Sequence, residues 1–367
     1  MRRALATWLD RQNDRLFILP SVLMILTFSI FPLLLSAYLA LSRFQLGIGG
    51  YQLRFVGFAN FAKLLFGIEQ YHFLGVFAAI SWQGWLVLGL VAVLLAASLQ
   101  RYLRHGRISV PGLIGRAILA SLILALAILL TATLAPGGQL GSLAVTLLYV
   151  SLGVSAQFVI GLGLAMLCSQ PIAARGFFRV VFFLPLMVTP VGIAYMFRML
   201  ADMTQGPLAP IWRLFGLGDL SWASQAWSAR LVVMVGDSWQ WIPFIFIVML
   251  AALEGQAQDQ VEAASLDGAG YWRIFRTITW PEVAPVAATV VLIRVIEAFK
   301  IIDLPNVLTN GGPGIATESL TLHSFIAWRT LDLGGSAAVA YMLLFVSTVF
   351  CASFFNFIMQ PLRSSRT

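Results

Sequence analysis

Charge is scarce in this chain. Of its 367 residues, 10% are Asp, Glu, Lys or Arg, where soluble domains carry about 25%. Lysine is nearly absent: only Lys63 and Lys300 occur. They follow Ala62 and Phe299, so there is no glycine-rich phosphate loop ending in Gly-Lys-Ser or Gly-Lys-Thr. Glycines 311, 312 and 314 without such a lysine read as a turn-rich loop. Cysteine is limited to Cys168 and Cys351, which excludes a disulfide framework and a cysteine-based metal centre. Histidine is limited to His72, His105 and His323, each isolated in sequence, so no metal ligand set is expected. No cluster of His, Asp and Glu marks an enzyme site, and no catalytic residue is expected.

What the chain has is apolar length. Hydrophobic residues make up 60% of it, and the mean hydropathy is +0.89. Eight runs approach the ~20 residues needed to cross the hydrocarbon core: about 17–42, 76–99, 114–135, 143–167, 178–200, 230–252, 284–302 and 337–360. The bilayer offers the backbone no hydrogen-bond partners, so spans of this kind are helices. The expected fold is an all-α membrane protein of eight transmembrane helices. Two of the runs are interrupted, 178–200 by Pro185 and Pro190, and 230–252 by Asp237, Gln240 and Pro243. The first run, Leu16 to Ser42, exceeds a signal-peptide core and reads as an uncleaved anchor.

The net charge of +8 does not point to nucleic acid, because the arginines lie between apolar runs, as topology signals do. Arg2, Arg3, Arg11 and Arg15 precede the first run; Arg101, Arg104, Arg107 and Arg116 follow the second. Arg175 and Arg179, then Arg273 and Arg276, then Arg363 and Arg366 mark later connections. With eight spans all five groups share one side, which the positive-inside rule makes cytoplasmic, both termini included.

One connection stands out. Val261 to Pro281 holds Glu262, Asp267, Arg273 and Arg276 between two apolar runs. Residues 258–267 favour helix, with Ala263 and Ala264 small enough for close approach by another subunit. Gly268 and Gly270 suit a sharp turn. Residues 271–278 suit a second short helix, and Pro281 and Pro285 the start of the next span. Glu262-Ala263-Ala264, then Gly268 after three residues, then Ile278 after nine more, then Pro281, resembles the "EAA" signature of permease subunits of ATP-driven, binding-protein-dependent (ABC) importers. Trp280 stands where that family usually has Leu.

Further stretches are similar to the carbohydrate-type, maltose-permease-like branch. They are Phe55-Val56-Gly57-Phe58-Ala59-Asn60-Phe61, the segment from Leu308 to Glu318 with Gly311-Gly312-Pro313, and Trp239 with Pro243 and Phe244. The resemblance divides the chain into 1–66 (tail, first span, outer loop), 67–142 (an added pair of spans), 143–360 (a six-helix core completed by the first span, with a coupling loop at 253–283) and 361–367 (cytoplasmic tail). It implies import of a sugar or polyol through the plasma membrane of a bacterium or archaeon, the inner membrane in a Gram-negative cell. It implies four partners: a dimeric ATPase holding ATP and Mg, a second, homologous permease chain, an extracytoplasmic solute-binding protein, and the bilayer. This chain itself would carry no cofactor. Glu262, Ala263, Ala264, Asp267, Gly268, Arg273, Ile278 and Pro281 would form the ATPase-coupling surface.

Ionisable groups inside spans are costly and so are functional candidates. Asp237, Arg294 and Glu297 are of this kind, with Gln157 and Gln240 as polar neighbours and Trp239 and Trp241 as stacking surfaces for a sugar. Arg294 and Glu297 sit one turn apart and are expected to pair with each other or with neighbouring helices. Two alternatives remain open at this level: a glycerol-phosphate permease of the same class, and an ion-coupled transporter using Asp237 or Glu297.

Overall fold

The computed structural model describes residues 18–47, 50–104, 110–170, 175–216 and 222–356. Arg2, Arg3, Arg11, Arg15, Arg107, Arg363, Arg366, His105 and the 361–367 tail lie outside the described residues. The expected cytoplasmic placement of the termini rests on them.

The described chain is mostly helical. Its first long helix, α1, covers Ile18–Ala40. An antiparallel hairpin of β1 (Ser42–Gly47) and β2 (Gly50–Phe55) follows, where the sequence suggested only a loop. Then come α2 (Trp82–Arg104), α3 (Val110–Leu134), α4 (Ser142–Cys168), α5 (Pro190–Ala201) and α6 (Ala226–Glu254). The chain continues through α7 (Gln258–Leu266), α8 (Trp280–Phe299), α9 (Leu320–Arg329) and α10 (Leu333–Phe354).

Among the described residues, six helices are long and apolar enough to cross a membrane: α1, α2, α3, α4, α6 and α10. Two of the eight expected spans are of another kind. Residues 178–200 form a broken pair, Gly176–Met187 and Pro190–Ala201, bent by 101°. Pro185 and Pro190 explain the break, since each removes a backbone donor and proline opposes helical geometry just before it. Residues 284–302 correspond to α8, which is 20 residues long and carries Glu282, Arg294 and Glu297. The second span starts at Trp82 rather than residue 76, because β3 (Gly75–Val76) pairs with β4 (Gln139–Leu140). That pairing ties the entry of the α2–α3 pair to its exit.

Lipid-facing and protein-facing surfaces divide as the bilayer demands. None of the hydrophobic window of α1 is buried, against 61% for α4. Helix α4 is therefore central, and α6 and α8 pack along it. Gly161 permits the α4–α6 approach, for a Cβ there would lie 2.8 Å from Ile245 Cγ2. Small residues serve membrane helix packing in this way. Phe246, Met249, Val283 and Val290 fill the adjoining core with Ala165.

Asn60 explains one of the sequence signatures. It is buried, and its side-chain amide donates to Ala40 O at 2.8 Å and Ser42 O at 2.9 Å. The end of α1 otherwise leaves carbonyls without donors. Asn60→Asp keeps the shape but turns a donor into an acceptor. We expect it, like Asn60→Ala, to cost about 1–3 kcal/mol per orphaned carbonyl. A lowered melting temperature of the detergent-solubilised protein checks this, and an unchanged one refutes it.

Candidate functional site: the coupling loop and the buried polar network

Two sites lie along one continuous path. The first is the loop between α6 and α8. Helix α7 ends at Asp267, and Gly268 follows with φ 79°. Only glycine takes that conformation without strain. The amides of Asp267, Gly268 and Ala269 donate back to Ala263, Ser265 and Ala264 carbonyls, each at 3.0 Å, closing the helix end. Gly270 then starts a short helix, Tyr271–Ile274.

That short helix does not stop before the span. A π-helical turn, Phe275–Thr279, joins it directly to α8. Pro281 stands in the first turn of α8, as expected, but the chain before it stays helical instead of breaking. The wider turn absorbs the missing donor and the steric demand of Pro281. Trp280, the departure from the family pattern, packs edge-on against Phe158 of α4, with centroids 6.5 Å apart. The loop is thus the end of a rod that runs unbroken from Tyr271 to Phe299.

Glu262, Ala263, Asp267, Gly268, Arg273 and Pro281 are exposed; Ala264 and Ile278 are half-buried. Among the described residues, Glu262, Asp267, Arg273 and Arg276 have no ion-pair partner within the chain. Leu266, 89% exposed, and Trp272, 68% exposed, stand beside them. Sequence reading did not select these two. Their signal was an apolar side chain within an otherwise polar connection.

The second site lies inside the membrane. Arg294 of α8 is 1% exposed. Its Nε donates to Gln157 Oε1 of α4 at 2.6 Å, and its guanidinium is ion-paired with Asp237 of α6. Gln157 Nε2 donates to Asp237 Oδ2 at 2.8 Å and Ser238 Oγ at 3.3 Å. One amide thus joins acid to base across three helices. The guanidinium also lies 4.8 Å above the Trp241 ring.

Of the two partners expected for Arg294, Glu297 or a neighbouring helix, the structure shows the neighbouring helices. Glu297 pairs with Lys300 at 2.6 Å, on a half-exposed face. Helical spacing offered both partners to Glu297. Arg294 turned instead to Asp237, because a buried carboxylate without a cation is far costlier than an exposed one. Gln240 is buried nearby, and Trp239 contacts Phe197 edge-on at 6.0 Å. The structure therefore gathers Gln157, Asp237, Trp241 and Arg294, and leaves Glu297 outside that cluster.

At the far end of α8 the Leu308–Glu318 segment folds on itself. Thr317 Oγ1 lies 2.6 Å from Thr309 Oγ1 and donates to Gly312 O at 3.0 Å. A cavity of about 680 Å³ adjoins it, lined by Tyr71, Trp227, Arg230 and Ile315 among others. Arg230 Nε donates to Ala316 O at 2.6 Å, and its guanidinium stands 5.0 Å from the Trp227 ring. Arg230 was also missed from sequence, where it reads as a flank of the span.

His72 and His323, separate in sequence, meet in the fold. They stack with centroids 4.1 Å apart, and Glu318 Oε1 lies 2.8 Å from His72 Nε2 and 3.8 Å from His323 Nδ1. Chain topology brings together residues the sequence separates widely.

The site thus joins an exposed polar loop to a buried Arg–Gln–Asp network through one helix, in a chain with six helices apolar and long enough to cross a membrane among the described residues. Residues 157–364 match the family "Binding-protein-dependent transport system inner membrane component". The chain belongs to that family. It is a multi-pass inner-membrane permease, and the relatives it resembles include sugar ABC permeases.

Its relatives include a trehalose/maltose transport system permease protein, MalF, of Thermococcus litoralis. The two are 31% identical over 198 residues, covering 54% of this chain and 67% of the relative. The sn-glycerol-3-phosphate transport system permease protein UgpA of Agrobacterium fabrum is 28% identical, covering 62% and 78%. A permease of Sinorhizobium fredii and AmyD of Thermoanaerobacterium thermosulfurigenes are matched over 64% and 65% of their own lengths. The chain thus spans about two thirds of several of these relatives.

A solved bacterial ABC transporter involved in the import of the acidic polysaccharide alginate shares the fold. Its TM-score is 0.56 at 17% identity, over 95% of this chain and 96% of that one. The uncovered 5% amounts to roughly 18 residues, by simple proportion of 367. The likeness therefore extends into residues 67–142.

Proposed function

We propose that this chain is one of two permease subunits of an ATP-driven importer for a sugar, oligosaccharide or polyol. A solute-binding protein delivers the cargo, and a dimeric ATPase, which holds ATP and Mg, supplies the work through residues 253–283. The observation that carries this reading is the unbroken helical path from Tyr271 to Phe299. It links an exposed handle to Arg294, and through Arg294 to α4 and α6.

The mechanism is a rigid-body switch between two states. Closure of the ATPase pair pulls the handle, with Glu262 in polar contact, Ala263 and Ala264 in close packing, and Leu266 and Trp272 as apolar anchors. Helix α8 moves as a rod. The Arg294–Gln157–Asp237 network registers α8 against α4 and α6, so displacement there changes the width of the conduit. Trp239, Gln240 and Trp241 line the proposed sugar path, where aromatic faces and amide groups suit hydroxyl-rich rings. The cavity beside Arg230 and the Leu308–Glu318 segment form the entry from the binding protein.

The relatives that transport maltose or starch products favour a neutral saccharide cargo. Arg294 is already neutralised by Asp237, so its charge is not available to a phosphate. The same pairing speaks against an ion-coupled carrier, since Asp237 already holds an internal cation. With the broken pair and α8 counted as spans and both termini cytoplasmic, the handle faces the ATPase. The two additional helices, α2 and α3, flank that core.

Reconstitution into liposomes with the ATPase, partner permease and binding protein tests the reading. Uptake of labelled sugar is expected to require ATP and to survive collapse of ion gradients. Uptake by this chain driven by a proton or sodium gradient, with no ATPase present, would overturn it.

A further inference from the structure

We infer that His72, Glu318 and His323 form a binding site for a divalent transition cation of the zinc class, on the face opposite the coupling loop. The three side chains come from separate stretches. His72 lies on the four-residue helix Gln70–Phe73, Glu318 ends the turn-rich segment, and His323 sits in the first turn of α9. The loop and this cluster lie at opposite ends of α8, which fixes the face.

Nε2 of His72 is 2.8 Å from Glu318 Oε1, and Nδ1 of His323 is 3.8 Å from the same oxygen. One donor atom from each of the three lies within 4.8 Å of the others. Bonds of about 2.0–2.1 Å to zinc place tetrahedral ligands roughly 3.3–3.4 Å apart. The two separations to Glu318 bracket that distance, and the 4.8 Å bound on the third leaves the two imidazoles to draw together by at most about 1.5 Å. The stacked rings, 14° from parallel, require one imidazole to tilt so that both lone pairs converge. His72 is the one placed to do so, with 23% of its side chain exposed on a short helix, against 5% for His323.

Charge supplies the second argument. Glu318 is 3% exposed, and its cation-capable contacts among the described residues are the two imidazoles. Lys63 is engaged elsewhere, with Glu69 at 2.7 Å and Asp332 at 3.3 Å. A buried carboxylate calls for a positive partner, and an imidazole nitrogen binds a metal through its lone pair. Two imidazole nitrogens and one carboxylate oxygen are a zinc-type donor set with a position left open. The Ser142 hydroxyl hydrogen-bonds the same His323 Nδ1 at 2.9 Å and turns away when that nitrogen takes the ion.

An ion at this place clamps the chain just before the α2–α3 pair to the segment entering α9. It gives that boundary a fixed geometry on the side where cargo is received.

The test uses the full-length protein in detergent, without a polyhistidine tag, stripped with chelator and then given zinc chloride. One zinc per chain is expected to survive gel filtration, measured by mass spectrometry. Cobalt in its place is expected to give the visible absorption of a four-coordinate site, and magnesium to leave zinc binding unchanged. His72→Ala is expected to weaken zinc binding at least tenfold without lowering the melting temperature of the stripped protein. Glu318→Gln and His323→Ala are buried and test folding as well as binding, so His72→Ala decides. Zinc retained equally by His72→Ala, or none retained by the unaltered chain at micromolar zinc, overturns the inference.

Discussion

Glu262→Lys is expected to reduce ATP-driven uptake to background while the protein inserts, folds and melts as before. Glu262 is exposed and, among the described residues, has no ion pair within the chain. Surface substitutions of that kind change stability by about 0.5 kcal/mol or less. Any large loss must therefore arise where the handle meets another protein. Gly268→Arg is expected to have the same effect for a second reason. At φ 79° a side-chain-bearing residue pays about 1–2 kcal/mol, and the turn between the two short helices shifts. The space around Gly268 is open, with nothing within 4 Å of a Cβ built there, so no clash inside the chain contributes. Co-purification of the ATPase with each variant, together with uptake in liposomes, checks both. Normal uptake by either variant would remove the handle from the mechanism.

Arg294→Ala is expected to destabilise the chain more than any other single change inside the membrane. It leaves Asp237 ionised, buried and unpaired, a loss of about 3–5 kcal/mol. Asp237→Ala strands the guanidinium at comparable cost. The double substitution removes both charges and is expected to recover most of the loss, because an absent buried pair needs no compensation. The ordering of melting temperatures in detergent measures this as a double-mutant cycle. Additive losses would mean that the pair is not an energetic unit. Transport separates stability from coupling. The double variant is expected to remain folded yet import poorly, since α8 would lose its register against α4 and α6. Gln157→Leu tests the same point more gently. It removes the amide that bridges acid and base while sparing the ion pair.

Local chemistry was legible from sequence. Glu262, Gly268, Ile278 and Pro281 revealed the loop because helix propensity, a left-handed turn and fixed spacing are properties of adjacent residues. The apolar runs revealed helices because a bilayer permits few other structures. The Asn60 signature was visible as a string of letters, but its reason was not, since Ala40 and Ser42 accept its hydrogen bonds across a turn.

What the letters could not supply was partnership between distant residues. Helical spacing offered Glu297 to Arg294. Asp237, 57 residues away, won because three helices converge there and burial penalises an unpaired charge. His72 and Glu318, 246 residues apart, meet only because β3–β4 and the turn-rich segment close the chain on itself. Pro281 looked like a helix start, yet the π turn before it let the rod continue, which depends on how Trp280 packs against α4. Sequence alone therefore determined that the chain is a bundle of membrane helices bearing a polar helix-turn-helix loop. The tertiary structure alone decided which buried charges neutralise one another and that the loop runs as one helix into Arg294, because desolvation is set by neighbours in space.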